Sequence, residues 1–166
     1  MFRCLNLTLD PLPVKDYLDN VVKYLEADMA FQAGEFSRWS ERQKSEYITS
    51  VIINSAPSSL TFADINACLE YAEENEQVLD IAYYKKWLMK GVSYLNIDGN
   101  NRTINLVAFY EDEFPLLPGE YRVDEWFGEV VKGKNDLYST MPTALRKKFD
   151  ESIINITKYV DVSRED

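Results

Sequence analysis

This chain contains no histidine and very little cysteine. Without histidine, the sequence excludes imidazole-based acid–base catalysis, zinc sites with histidine ligands and a Ser-His-Asp triad. The two cysteines, Cys4 and Cys68, are too few for a disulfide framework or a zinc site. We therefore predict a cytoplasmic protein with reduced thiols, whose chemistry, if any, uses carboxylates, hydroxyls, Lys, Cys or a bound metal.

Long apolar runs and an excess of basic residues are also missing. No stretch reaches the length of a membrane span, and residues 1–10 lack the pattern of a signal peptide, so we expect no membrane partner.

The chain has 28 acidic and 18 basic residues, a net charge of −10. Free-standing DNA-binding proteins normally carry a basic face, and here the main basic cluster is 146–148. We expect DNA contact to be weak or indirect, and the acidic surface either keeps the chain soluble or docks on a basic partner.

The length and composition of the chain indicate one domain. With 166 residues, 46% of them hydrophobic, the chain is long enough to bury a core. Apolar spacing predicts helices over 14–29, 40–54, 61–75, 77–90, 100–110 and 142–151, and a short helix near 124–127. Strands are predicted over 2–9, 92–97, 120–123 and 153–159, with breaks at Pro11 and Pro13 and a turn over 57–59. This mixture indicates an α+β fold with a small mixed sheet.

The second predicted helix has a clear start signal. Ser40 is followed three residues later by Gln43, which is the spacing of a capping box. Each side chain can then satisfy the other residue's backbone N–H, so we expect the helix to begin directly after Ser40.

Residues 97–102, with the sequence IDGNNR, are the strongest candidate for chemistry. They predict a strand, an Asp-Gly turn and a helix start, where outward-facing N–H groups and the helix dipole suit a phosphate. Gly99 allows close approach to the backbone, and Arg102 offers a fork of donors to phosphate oxygens. Asp98 can hold Mg²⁺ or polarise a water. An ordinary turn with an asparagine cap and a solvated arginine is the alternative.

Two carboxylate groupings, 111–113 and Glu70 with Glu73 and Glu74, are weaker candidates. Adjacent carboxylates on a helix do not face each other, so a solvated face explains both better than an acid–base pair does.

Several segments together resemble the ParB/sulfiredoxin-like superfamily. Residues 38–43, RWSERQ, with the helix after them, resemble one of its conserved boxes, and IDGNNR resembles its "IDGQQR" box. The stretch from Leu137 through Pro142, Leu145 and Arg146 to 149–156 is similar to its "LP…R..F" helix and following strand. The closest branch is the DGQQR-box N-terminal domain of GmrSD-like, modification-dependent restriction systems.

The resemblance implies an NTP-binding domain linked to DNA restriction or phage–host conflict that regulates a DNA-acting partner. Asp98 and Arg102 would be catalytic if hydrolysis is retained, with Asp98 also holding Mg²⁺. Gly99 and the backbone after it would cradle the phosphates. The other nucleotide-binding positions it implies are Asn100 and Asn101, which replace the two glutamines of the box, together with Arg38 and Gln43.

The chain also departs from the family pattern. Helices over about 61–90 resemble an insertion, and no histidine-containing nuclease segment follows. We therefore expect no nuclease activity from this chain alone. We expect the chain to be either an N-terminal part of a longer protein or a stand-alone relative. Two other functions stay open on the same fold: a non-catalytic acidic module that binds a protein as inhibitor or subunit, and a ParB-like kinase.

Overall fold

The computed structural model describes residues 2–3, 7–27, 39–53, 58–124, 126, 128–161 and 163–164. Within these residues the helices are α1 (Val14–Asn20), α2 (Glu41–Ile53), α3 (Ile65–Glu74), α4 (Val78–Met89), α5 (Asn100–Tyr110) and α6 (Thr143–Glu151). The strands are β1 (Phe2–Arg3), β2 (Leu7–Pro13), β3 (Leu25–Ala27), β4 (Ser58–Asp64), β5 (Tyr94–Asp98), β6 (Gly119–Arg122), β7 (Val130–Gly133), β8 (Ile153–Tyr159) and β9 (Ser163–Arg164).

The main sheet has five strands in the order β2-β8-β4-β5-β3. β8 pairs antiparallel with β2 and parallel with β4, while β5 pairs antiparallel with β4 and parallel with β3. Two short pairs, β1 with β9 and β6 with β7, lie outside it. The prediction of an α+β domain with a small mixed sheet is confirmed.

Helices cover both faces of this sheet. The larger apolar cluster joins Leu60, Phe62, Ile154 and Ile156 of the central strands to buried residues of α1, α2, α5 and α6. The smaller cluster packs the α3–α4 hairpin, through residues such as Cys68 and Tyr84, against the opposite face. Because β4 contributes to both clusters, its apolar residues are buried on both sides.

Elements with a local sequence signal form where we predicted them. Ser40 donates its N–H to Gln43 Oε1 at 2.8 Å and its hydroxyl accepts from Gln43 N at 3.2 Å, which is the predicted capping box. The predicted helices over 77–90 and 142–151 and the strand over 153–159 match α4, α6 and β8.

The predicted helix over 14–29 is wrong beyond its first turns. α1 ends at Asn20, a 3₁₀ turn covers Val22–Tyr24, and β3 follows it. The apolar residues after the helix keep a helical spacing because the turn also faces the core. Pairing of β3 with β5 then sets an extended backbone.

Pro11 and Pro13 do not break the chain as we predicted. Both lie in β2, opposite Asn155 and Ile153 of β8. β2 is at the edge of the sheet, where a residue without an N–H leaves no partner strand unsatisfied.

The sequence prediction also missed β4, which lies at the centre of the sheet. We predicted a turn over 57–59 and a helix from Thr61, whereas Ser58–Asp64 form a strand paired on both sides. Asp64 then caps α3, its carboxylate accepting from Ala67 N at 3.2 Å. Serine and threonine in this segment resemble a turn, and only the two neighbouring strands make it extended.

The predicted strand over 120–123 matches β6, and β7 was missed. Between them, Asp124 Oδ1 accepts from Trp126 N at 2.8 Å and Gly128 N donates to the Asp124 carbonyl at 3.1 Å. The predicted short helix near 124–127 falls partly outside the described residues.

Candidate functional site

The predicted sequence of strand, Asp-Gly turn and helix over 97–102 is present in the structure. β5 ends at Asp98, and Gly99 is the N-cap residue of α5 with φ of +93°. Asp98 Oδ1 accepts from Gly99 N at 2.8 Å, and the Asp98 side chain stays exposed. The turn therefore holds the carboxylate at the surface, directly before the helix start.

Gly99 lies against β4, and a larger side chain would not fit there. A Cβ atom at this position would lie 2.5 Å from Leu60 Cδ2, and Leu60 is fully buried. The left-handed φ separately disfavours any other residue. Sequence analysis explained this glycine by ligand approach, and the neighbour that the structure identifies is Leu60.

Arg102 joins the start of α5 to the start of β4. Its Nη1 donates to the Ser59 carbonyl at 2.7 Å. Among the described residues, none forms an ion pair with Arg102. A guanidinium has five N–H donors, so a single carbonyl leaves capacity for an anion at this corner of the sheet.

The N-terminus of α5 has no side-chain cap. Gly99 has no side chain, and no side-chain hydrogen bond caps this end. N–H groups in the first turn of a helix lack partners within the helix and carry the positive end of its dipole. The α5 N-terminus can therefore accept a negatively charged group.

An open cleft of about 430 Å³ runs along α5, and of residues 97–102 Asn100 lines it. Its walls come from the turn before β3, from β3 and from one side of α5, and its lining residues are Val22, Leu25, Glu26, Asn100, Thr103, Ile104, Val107, Ala108 and Glu113. Thr103 is held by a hydrogen bond of 2.7 Å with the buried Tyr17 hydroxyl, so this wall is fixed to α1. Most of the lining is apolar, with Asn100 at the helix start.

The carboxyl ends of β3 and β5 lie at the same edge of the sheet. The two strands are parallel, and Ala27 pairs with Asn96 two residues before Asp98. In open α/β sheets, ligands bind outside the carboxyl ends of parallel strands. Asn100, directly after the Asp-Gly turn, brings one end of the cleft to this edge, and the rest of the cleft extends along α5 to Glu113.

Gln43 and Arg38 are not brought to the turn by any described contact. Gln43 lies in the capping box at the start of α2, whose Ser45 hydroxyl donates to the Pro115 carbonyl beyond the far end of α5. Arg38 lies outside the described residues.

The sequence predicts a metal ligand at Asp98 and offers the carboxylates at 111–113 as a weaker candidate for chemistry. In the described part of the chain, no group of three or more Cys, Asp or Glu could hold a metal ion. Asp112 Oδ1 accepts from Ser139 N at 2.9 Å, and this contact with Ser139 holds its pKa below the usual value. Asp112 thus fixes a loop, and Asp98 belongs to no cluster of three or more such ligands among the described residues.

A second open cleft, of about 520 Å³, lies between α1 and α6. It combines basic and acidic side chains, Lys15, Arg146 and Lys147 with Asp16, Asp150 and Glu151. Arg146 donates to the carbonyls of Tyr138 and Ser139, at 3.2 and 2.6 Å. Burial raises the pKa of Asp150, which accepts from the Tyr138 hydroxyl at 2.8 Å. Within the basic cluster at 146–148, Arg146 is therefore already used to hold the loop that contains Tyr138 and Ser139.

Ser59, Leu60 and Thr103 also shape the turn, and the sequence gives no local signal for them, because each acts through a partner far away in the chain. None of the described helices is long and apolar enough to cross a membrane. Comparison with protein-family models, curated proteins and solved structures found no match to this chain.

Proposed function

We propose that this chain binds a nucleoside triphosphate at the N-terminus of α5, as a ParB/sulfiredoxin-like domain. The observation that carries the proposal is an uncapped helix start, reached through a strand and an Asp-Gly turn, that adjoins an open cleft. The phosphates would lie on the first-turn N–H groups beside Arg102, and the base and sugar would lie along the apolar wall of α5.

Asp98 fits the way Mg²⁺ accompanies nucleotides. Mg²⁺ is usually held by one or two carboxylates together with phosphate oxygens and water. A single exposed carboxylate next to the phosphate position meets that need without a preformed cluster of protein ligands. When bound, Mg²⁺ would neutralise phosphate charge, while Asp98 positions it and Arg102 stabilises charge that develops in hydrolysis. Nucleotide occupancy would regulate a DNA-acting partner in the cytoplasm.

The first experiment is calorimetry of the protein with each NTP and Mg²⁺, with Asn100→Asp as the test variant. An acidic residue in the first turn stabilises a helix, so this change favours the fold while it repels phosphate. We expect the melting temperature to stay equal or rise and nucleotide affinity to fall at least about tenfold.

Arg102→Ala provides a second test with a matched control. Removing a charged partner of phosphate should cost about 1.5–3 kcal/mol of binding, whereas Arg122→Ala, at an exposed arginine of β6, should leave affinity unchanged. The melting temperature of each variant shows how much stability is lost with the Ser59 contact, so that this loss can be told apart from a loss of nucleotide binding. If the wild-type protein binds no nucleotide, the proposal is wrong.

A non-catalytic protein-binding module is the second candidate. The observation in its favour is that Arg102 already bonds the Ser59 carbonyl, which gives this arginine a structural role. In this case Arg102→Ala lowers stability, and no nucleotide protects the wild type against unfolding. If nucleotide does bind, an assay with hydroxyl acceptors separates hydrolysis from kinase activity.

A further inference from the structure

α4 has an apolar outer face although the helix is part of a folded hairpin. Val78, Leu79 and Met89 are 74%, 71% and 88% exposed. Its buried side, which includes Tyr84, packs on α3 and the sheet. A helix that is apolar on both sides normally has a second packing partner.

The exposed residues follow a regular spacing. Leu79, Ala82, Lys86 and Met89 are exposed and separated by three, four and three positions, the a and d spacing of two heptads. We call these four residues the α4 outer face. Ala82, a small residue near its middle, allows another helix to approach closely.

Charge is distributed unevenly along the same hairpin. Glu74 and Glu76 are exposed at the turn that precedes α4, and Lys86 and Lys90 are exposed towards its other end. Lys85 is already engaged with Glu73, at 3.9 Å from Nζ to Oε1. One end of the hairpin is therefore acidic and the other basic.

We propose that the α4 outer face binds a second copy of this chain, with the two α4 helices antiparallel. A two-fold axis beside Tyr84 places Leu79 opposite Met89 of the second copy, and Ala82 opposite Lys86. In the same register Lys90 of each copy is level with Val78 of the other, next to the acidic turn that carries the exposed Glu74 and Glu76. The face is complementary to itself, which is what a two-fold interface requires.

The antiparallel arrangement joins the basic end of each hairpin to the acidic turn of the other and offsets the two Lys86 residues along the helices. A parallel pair would place Lys86 on Lys86 and Lys90 beside Lys85 of the second copy, with repulsion at both positions. The face covers two heptads and both copies carry a net charge of −10, so we expect a weak, reversible dimer.

Sedimentation velocity of the full chain, from about 5 to about 300 µM, tests the proposal. The average mass of the wild type should rise towards that of two chains. Glu76→Lys and Lys90→Glu should each weaken dimerisation at least about fivefold, because each creates two repulsive pairs. The double variant should restore it, and reversal at Glu129 or Lys132 on the β6–β7 hairpin should have no effect.

Cysteine cross-linking tests the orientation independently. A mixture of the Leu79→Cys and Met89→Cys variants should form a disulfide-linked pair under mild oxidation, while either variant alone should not exceed the wild type. A wild type that is monomeric throughout would overturn the proposal. So would a dimer that neither charge reversal affects, or cross-linking by Leu79→Cys alone.

Discussion

Gly99 is subject to two separate constraints, its backbone conformation and its neighbour. Its φ of +93° is a region that favours glycine, and Leu60 Cδ2 would lie 2.5 Å from an added Cβ. Gly91 shares the first constraint, with φ of +77°, but has nothing within 4 Å of an added Cβ. Comparing substitutions at Gly99 and Gly91 therefore separates the loss of stability caused by close packing from the loss caused by the left-handed backbone.

We expect Gly99→Ala to lower the free energy of unfolding by about 2–4 kcal/mol, and Gly91→Ala by about 1 kcal/mol. Leu60 is fully buried and has little room to move aside. Urea denaturation of both variants measures the difference. Equal losses would show that the contact with Leu60 has no energetic weight.

At the scale of elements, local signals and tertiary pairing control different parts of the chain. The capping box at Ser40 places the start of α2, and Gly91 follows the end of α4 with a left-handed φ. β4 has no such signal, and its two neighbouring strands decide its conformation. Substitutions within the capping box can therefore measure how much this local signal contributes to the stability of the fold.

Ser40→Ala should lower the free energy of unfolding by about 1 kcal/mol, because Gln43 N loses its acceptor. Gln43→Ala should also destabilise α2, whereas Gln43→Glu should retain stability, since glutamate fills the same capping role. Nucleotide affinity should be unchanged in all three, because Ser40 and Gln43 bond each other and no described contact joins them to the Asp-Gly turn. A tenfold loss of affinity in Gln43→Glu would instead assign this residue to the nucleotide site.

For the whole molecule, a polar junction joins the N-terminal segment to the end of α5. Lys15 Nζ donates to Asp19 Oδ2 at 2.7 Å, and Tyr110, 91 residues away, donates to Asp19 Oδ1 at 2.8 Å. The hydrogen bond from Lys15, and to a smaller extent the one from Tyr110, hold the pKa of Asp19 below its usual value. A lowered carboxyl pKa stabilises the fold above the unfolded pKa of about 3.9, and this stabilisation is lost as the pH falls through the folded pKa.

Asp19→Asn should therefore lower the melting temperature at pH 7 by up to about 3 °C, the range for exposed charge pairs. The difference from the wild type should shrink as the pH is lowered towards about 3. Glu129→Gln, which neutralises an exposed carboxylate just before β7, is the control and should have no effect. A difference that does not depend on pH would mean that charge on Asp19 is unimportant.

The sequence alone determined what depends on composition and on neighbours a few residues apart. The missing histidine excludes whole classes of chemistry, and the Asp-Gly turn, the capping box and the β-branched run of β8 predicted their elements. Tertiary structure alone decided the central position of β4, the edge position that accommodates Pro11 and Pro13, and the contact of Arg102 with Ser59. The reason is physical: capping and turn formation act within one turn of chain, whereas strand pairing and close packing depend on residues that only folding brings together.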